Sequence, residues 1–195
     1  MFAGIDEAGR GALAGPVIAA AVVFDAERHS IRGLDDSKRL TPERREQLLE
    51  VIIARARAWS VGRAESSEID CVNVLQASLL AMKRAFHGLG MQPRWMQVDG
   101  NRYPLIACPG EAIVRGDAMV PAIMAASILA KVIRDREMRV LDALYPGYEF
   151  AIHKGYPTER HKARLRERGP CPAHRDTFGP VRMYRWRSSL PTIGS

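Results

Sequence analysis

The chain has 195 residues, of which 47% are hydrophobic and 26% are charged, and it carries a net charge of +7. This composition is sufficient for one globular domain with a substantial core, and the absence of any run of about 18 apolar residues excludes a membrane-spanning protein. The first residues lack the basic segment of a signal peptide, and the three cysteines form no Cys-x-x-Cys pair. We therefore expect a cytoplasmic protein.

The positive charge is concentrated near the end of the chain. Residues 151–187 contain ten Lys or Arg and three acidic residues, whereas the rest of the chain is balanced. A basic surface of this kind draws phosphates toward a protein, although a solvated basic helix would show the same composition. We predict a single domain over residues 1–195, with a catalytic core at about 1–150 and a basic substrate-binding segment at about 151–187.

The first half of the chain alternates strands and helices. Residues 1–5 are typical of the end of a strand, and the apolar run 16–24 predicts a buried second strand that forms a hairpin with it. Thr41-Pro42-Glu43 is a helix start, and the apolar spacing continues to about Arg57. A third strand follows at 59–64, and a second helix runs from about Ser67 to Gly88, with Asn73 as a break or second cap. Trp59 and Trp95 are expected in the core.

The second half contains two short strands and two helices. Residues 95–98 form a strand that ends on Asp99-Gly100, and 111–114 form a weaker one before Gly116-Asp117. A long helix is predicted over 120–144 and ends at Tyr145-Pro146-Gly147. A further helix capped by Thr158 extends to about Arg168, and the Pro/Arg-rich tail is expected to be irregular. The pattern predicts an α/β fold around one mixed sheet.

Carboxylates follow two of the predicted strands at the points where these strands end. Asp6 and Glu7 close the first, Asp99 closes another, and Asp117 stands near the start of the long helix. Strand ends of this kind converge at one edge of an α/β sheet, provided that the strands are neighbours. The mutual repulsion of crowded carboxylates raises their pKa values or requires cations, and divalent metals with oxygen ligands meet that need. Two such ions could clamp a phosphate; an acidic loop in water is the alternative.

Six sequence blocks are spread over most of the chain. They are Asp6-Glu7-Ala8-Gly9-Arg10-Gly11, Asp36-Ser37-Lys38-Arg39-Leu40-Thr41, Val98-Asp99-Gly100, Gly116-Asp117, residues 125–135 (AASILAKVIRD) and His153-Lys154-Gly155-Tyr156-Pro157-Thr158. Together, and in this order, they resemble bacterial ribonuclease HII. The resemblance implies a ribonuclease H-like mixed β-sheet flanked by helices, with a small basic C-terminal helical extension. It also implies Mn²⁺- or Mg²⁺-dependent cleavage of the RNA strand of RNA–DNA hybrids, leaving 5′-phosphates, and cleavage at single ribonucleotides in duplex DNA. A monomer is expected.

The resemblance also implies roles for individual residues. Asp6, Glu7, Asp99 and Asp117 match the catalytic, metal-binding acids. Gly9, Arg10 and Gly11 match the turn that reads the ribose 2′-OH, and Tyr156 matches a tyrosine that stacks at the RNA–DNA junction. Glycines allow the close backbone approach that such recognition requires. Lys38 and Lys131 are the candidate phosphate contacts.

One position departs from the family pattern, and the sister family is less similar. Met119 stands where a Lys or Arg is often found two residues after the Gly-Asp aspartate. The ribonuclease HIII family usually has Gly-Lys-Gly at the turn and an extra N-terminal domain, so Arg10 and the start at Met1 favour HII.

Other functions and sites remain as alternatives. A binding module with an inactive site would lack some of the acids, and a junction resolvase would not need the Gly-Arg-Gly turn or Tyr156. A zinc site at Cys171-x-x-His174 with His153 and His161 lacks paired ligand spacing. Ser127 is interpreted as a small packing residue, although its spacing from Lys131 fits a Ser-Lys dyad, and Asp135 as part of a surface ion pair.

Overall fold

A computed structural model describes residues 1–25 and 31–188, and this part of the chain contains one mixed five-stranded sheet. The strands are β1 (Phe2–Ala8), β2 (Val17–Val23), β3 (Ala58–Ala64), β4 (Trp95–Asp99) and β5 (Gly110–Ile113), in the order β3-β2-β1-β4-β5. β1 and β3 are antiparallel to β2, whereas β1, β4 and β5 are parallel. The predicted α/β class, mixed sheet and first hairpin are confirmed.

Helices flank the sheet, and two of them start at the predicted caps Thr41 and Thr158. They are α1 (Pro42–Arg55), α2 (Ser66–Gly88), α3 (Pro121–Leu144), α4 (Phe150–His153), α5 (Glu159–Arg168) and α6 (Gly179–Ser188). Thr41 Oγ1 accepts a hydrogen bond from the Arg44 N–H at the start of α1. Asn73 interrupts α2 with a φ of 69°, and its Oδ1 accepts from two N–H groups of the next turn, so it is both a break and a second cap. None of the described helices is long and apolar enough to cross a membrane.

The two faces of the sheet are covered by different helices. Ala3 and Ile5 of β1 lie in one core with residues of α2, and the other core joins β2 to α1 and α3. Because side chains alternate along a strand, Gly4 and Asp6 of β1 face α3. A Cβ at Gly4 would overlap the Ala122 backbone, so the glycine lets α3 pack directly on the strand. This contact brings α3 close to Asp6.

Two expectations were wrong. The tail was expected to be irregular, but Gly179–Ser188 forms α6, because Val181 is buried against Leu13 and Leu165. Trp59 and Trp95 were expected in the core, but Trp59 is 40% exposed on the edge strand β3 and Trp95 is only half-buried. The short helix α4 was not predicted. Residues 189–195 of the tail lie outside the described residues.

Candidate active site

Three aspartates meet at the carboxyl edge of the parallel strands. Ile5 of β1 pairs with Val98 of β4, so Asp6 and Asp99 occupy adjacent positions on the α3 side of the sheet. Asp117 comes from the short 3-10 turn Gly116–Ala118, and its N–H donates to Asp99 Oδ1 at 3.1 Å. Carboxylate oxygens of the three lie within 4.8 Å of one another. We call Asp6, Asp99 and Asp117 the acidic triad.

Burial and crowding shift the titration of these acids. Burial raises the pKa of Asp6 well above its usual range, and the negative charges of Glu7 and Asp99 raise it further. Burial likewise raises the pKa of Asp99, against the hydrogen bond from the Asp117 N–H. The charged triad is therefore unfavourable on its own, and a divalent cation with oxygen ligands would relieve it. The donor set fits a hard metal ion.

Glu7 lies beside the triad but has a different partner. Its Oε1 accepts from the Arg10 guanidinium at 3.3 Å, and it is not among the oxygens that cluster within 4.8 Å. Burial raises the pKa of Glu7, and Arg10 opposes that rise. The Glu7 carboxylate is thus tied to the Gly-Arg-Gly turn.

Lys38 supplies a positive charge at the edge of the triad. Its Nζ donates to Asp117 Oδ2 at 3.2 Å, and its side chain is 75% exposed. Lys38 Nζ also lies 3.9 Å from Asp36 Oδ1. An exposed amine held by two such ion pairs can exchange a partner for a phosphate. Met119, just after the turn that carries Asp117, is also exposed.

A cleft of about 570 Å³ contains nine of the ten predicted site residues. Asp117 is the exception, and it reaches the cleft through its contacts with Asp99 and Lys38. Ser37, Arg45 and Ser127 also line the cleft, although none of them was predicted as a site residue. One cleft therefore contains the strand ends, the Gly-Arg-Gly turn and the Tyr156 loop.

The Gly9–Gly11 turn is held through its carbonyl groups by a buried arginine. Arg175 is fully buried and donates to the carbonyls of Gly9, Arg10 and Gly15 at 2.8–3.1 Å. The N–H groups of Arg10 and Gly11 have no hydrogen-bond partner among the described residues. The carbonyl groups of the turn are therefore bonded within the protein, whereas the N–H groups of Arg10 and Gly11 are available to a ligand.

A second buried arginine joins this turn to the Tyr156 loop. Arg134 of α3 donates to the carbonyls of Ala14, Pro16 and Lys154 at 2.9–3.2 Å, and its Cζ lies 5.3 Å from the Tyr156 ring centroid. Gly9 has a φ of +99°, and a Cβ there would overlap the Arg134 guanidinium. Neither Arg134 nor Arg175 was predicted as a functional residue, because both bind main-chain carbonyl groups, which carry no sequence signal.

The side chains around Lys131 differ from expectation. Ser127 Oγ bonds Ser37 Oγ at 2.8 Å and also interacts with Asp6, so it does more than fill space. Lys131 Nζ donates to Asp135 Oδ1 at 2.7 Å. Asp135 is buried rather than on the surface, and Arg45 lies 3.9 Å from its second oxygen. The predicted ion pair is present, but its predicted surface position is wrong.

Cys171 and three histidines, scattered in sequence, are brought together by the fold. His161 Nε2 lies 3.1 Å from His174 Nε2, and the rings of His153 and His161 stack with centroids 4.2 Å apart. In the described part of the chain the acidic triad is the group with metal-ligand geometry, and this cluster is not. The zinc alternative has no support.

Comparison with known proteins identifies the family. The family model for ribonuclease HII matches residues 3–183. The chain belongs to the ribonuclease HII family. The ribonuclease HII of Methylococcus capsulatus is 59% identical over 189 residues, which is 97% of each chain. That of Burkholderia vietnamiensis is 56% identical over 179 residues, covering 92% of this chain and 82% of that one.

Solved structures agree. The ribonuclease H2 of Pyrococcus horikoshii has a TM-score of 0.80 at 30% identity, covering 95% of this chain and 97% of that one. A Bst-RNase HIII structure in complex with Mn²⁺ has a TM-score of 0.70 at 17% identity and covers 96% and 70%, which supports the fold. Members of the family are endoribonucleases that cleave the RNA of RNA–DNA hybrids with a divalent metal, and this chain is such an endoribonuclease.

Proposed function

We propose that this cleft hydrolyses the RNA strand of RNA–DNA hybrids, including at a single ribonucleotide in duplex DNA, and leaves a 5′-phosphate. The observation that carries this proposal is the acidic triad, of which Asp6 and Asp99 line the same cleft as the Gly9–Gly11 turn. Asp6, Glu7, Asp99 and Asp117 would hold two Mg²⁺ or Mn²⁺ ions. Two bound ions supply an activated water and stabilise the leaving oxygen.

The protein's own groups then determine where the strand is cut. The N–H groups of Arg10 and Gly11 are suited to donate to a ribose 2′-OH, which is the group that distinguishes RNA from DNA. The Tyr156 ring lies in the same cleft and would stack on the nucleotide that follows the ribonucleotide. Lys38 and Lys131 would contact the phosphates on either side of the triad.

The competing functions are less well supported. An inactive binding module would not need a group of carboxylates in which burial, together with neighbouring negative charge, raises the pKa of Asp6, Glu7 and Asp99. A junction resolvase would not need available N–H donors beside the metal ligands. We further propose a cytoplasmic monomer in which residues 1–150 form the catalytic core and residues 151–187 bind substrate; gel filtration with light scattering tests the monomer.

The test compares three duplexes of one sequence: a long RNA–DNA hybrid, a DNA duplex with one ribonucleotide, and an all-DNA duplex. With Mg²⁺ or Mn²⁺ we expect cleavage of the first two with 5′-phosphate products, and no cleavage of the third. Cleavage of all-DNA duplex at a comparable rate would instead indicate a nuclease that does not read the 2′-OH. Cleavage without added metal in the presence of a chelator would contradict the metal assignment.

A further inference from the structure

The main chain of Tyr156 is fixed on both sides by histidines. Its N–H donates to the His153 carbonyl at 2.9 Å. Its carbonyl accepts from the Thr158 N–H at 2.8 Å and lies 3.0 Å from His161 Nδ1. His161 is fully buried. The position of Tyr156, whose ring lines the cleft, therefore depends on His161 Nδ1, which lies outside the cleft.

The proton positions on His161 and His174 follow from a backbone donor. The Cys171 N–H donates to His174 Nδ1 at 3.0 Å, so this nitrogen carries a lone pair and the proton of a neutral His174 is on Nε2. His174 Nε2–H then donates to His161 Nε2 across 3.1 Å. His161 must therefore carry its proton on Nδ1, where it donates to the Tyr156 carbonyl. The Cys171 thiol lies 3.2 Å from His174 Nδ1, and the Cys171 carbonyl, 3.3 Å from the same nitrogen, already accepts from the His174 N–H at 2.9 Å.

A backbone donor also determines the tautomer of His153, which carries its proton on Nε2, as His174 does. The Gly155 N–H donates to His153 Nδ1 at 3.2 Å, and His153 Nε2–H donates to the Tyr148 carbonyl at 2.7 Å. Burial lowers the pKa of all three histidines, to about 4 for His161 and about 3 for His174. All three are neutral at pH 7, which this pattern of donors and acceptors requires.

We propose that Cys171, His174 and His161 form a directional hydrogen-bond relay that positions Tyr156 for reading the RNA–DNA junction. The relay rests on the proposed function of Tyr156. Its members are positioning residues, because none of them lines the cleft. A second proton on His174 or His161 would put two donors face to face and break the relay.

Two substitutions of His161 separate its two hydrogen bonds. His161→Asn places an amide N–H near the position of Nδ1 and keeps the bond to Tyr156, while it removes the bond to His174. His161→Gln places an amide oxygen near the position of Nε2 and keeps the bond to His174, while it removes the bond to Tyr156. The two variants are matched in chemistry and each removes one buried bond, so a loss of general stability affects both.

The relay predicts different effects of the two variants on cleavage. For the duplex with one ribonucleotide, we expect His161→Gln to lower kcat/KM about tenfold, because the Tyr156 carbonyl loses one of its two donors. We expect His161→Asn to stay within about threefold of wild type. Both should cleave the long hybrid within about threefold of wild type. Equal losses by the two variants would overturn the relay. A loss by His161→Gln that is the same on both substrates would overturn the link between the relay and junction reading.

A measurement without substrate keeps the proposal separate from the proposed function. In ¹⁵N-histidine NMR spectra of the wild-type chain at pH 7, we expect His161 as the Nδ1–H tautomer and His153 and His174 as Nε2–H tautomers. An Nε2–H or charged His161 would refute the relay. If Tyr156→Ala affects both substrates equally while the tautomers are as expected, the junction role of Tyr156 fails and the relay stands as a support of the loop.

Discussion

At the scale of single residues, Asp6 is the clearest test of the metal site. Asp6→Asn or Asp99→Asn should abolish hydrolysis in Mg²⁺, because each removes one direct metal ligand from the triad. Duplex binding in a gel-shift assay should persist. Hydrolysis at near wild-type rate in either variant would contradict the assignment of these acids.

The same substitution should stabilise the chain in the absence of metal. The folded-state pKa of Asp6 is raised, so the unfolded carboxyl ionises first as the pH rises and stability falls between the unfolded and the folded pKa. At neutral pH Asp6→Asn removes this buried negative charge. We therefore expect the variant to have a higher Tm than the wild type when both are measured in a chelator. Added Mn²⁺ should raise the Tm of the wild type and have less effect on the variant. A lower Tm for the variant in chelator would mean that the hydrogen bonds of the Asp6 carboxylate outweigh the cost of its buried charge.

Tyr156 is the residue that should distinguish one ribonucleotide from many. Its ring lines the cleft, with its centroid 5.7 Å from Lys131 Nζ. Tyr156→Ala should reduce cleavage at a single embedded ribonucleotide by about tenfold or more, since one base-stacking contact contributes about 1–3 kcal/mol. Cleavage of the long hybrid should fall much less, because other 2′-OH groups are available. Tyr156→Phe, which keeps the ring, is the matched control and should retain both activities.

At the scale of elements, α5 carries the charges that the sequence assigned to the nucleic acid, but part of that charge is used within the protein. Arg160 and Arg164 both donate to the carboxylate of Glu149 and lower its pKa to about 2. Lys162 pairs with Glu159, which is almost fully exposed, and Arg166 is exposed. Exposed pairs of this kind are weak and yield to phosphates.

Neutralising Lys162, Arg164 and Arg166 together should therefore weaken duplex binding. The slope of log K against log salt should decrease by about one unit for each phosphate that the variant no longer neutralises. Lys162→Gln with Arg166→Gln should reproduce most of this change, whereas Arg164→Gln should mainly lower the Tm. A salt slope that the triple variant leaves unchanged would show that α5 faces away from the duplex.

The elements themselves were predictable where local chemistry determines them. Thr41 and Asn73 identified helix starts because their side chains bond the first N–H groups of a helix, and a strand ending on Asp99-Gly100 identified one site residue. The helix α6 was missed because burial of Val181 by distant residues, rather than a local pattern, stabilises it. Likewise, β1 and β4 are neighbours because residues far apart in the sequence pair with each other. The local sequence pattern predicted that Asp6 and Asp99 end strands, but it could not determine that these two strands are adjacent.

At the scale of the whole molecule, the supports of the site are the part that sequence could not predict. Arg134 and Arg175 bind carbonyl groups, which every residue has, so their partners leave no sequence signal. The buried histidines come from three separate segments, and their spacing along the chain does not connect them. These groups join the end of β1 to the C-terminal segment, so the recognition turn depends on the fold of residues far along the chain.

The buried histidines predict how the stability of the whole chain depends on pH. Their folded-state pKa values lie below the unfolded value near 6.5, at about 4 for His161 and about 3 for His174. The unfolded chain therefore binds these protons first, so stability is complete above about pH 6.5 and falls as the pH decreases toward the folded values. Each histidine contributes a slope of up to about 1.4 kcal/mol per pH unit. The raised pKa values of Asp6, Glu7 and Asp99 act in the opposite direction.

Urea unfolding at pH 7.5, 6.0 and 5.0 measures this dependence. We expect the free energy of unfolding to decrease over this series, and the decrease to be smaller in His174→Gln, which removes one of the buried sites. Both proteins keep the charged neighbours of the histidines, which are Glu149, Asp142, Arg160 and Arg185. The difference between the pH slopes of the two proteins therefore measures the contribution of His174. His87→Gln, at an exposed position, is the control and should have the wild-type slope. An identical slope in His174→Gln and wild type would mean that His174 binds its proton at the same pH in the folded and unfolded chains. A folded chain at pH 5.0 would then hold a charged His174 without the lone pair that accepts from the Cys171 N–H.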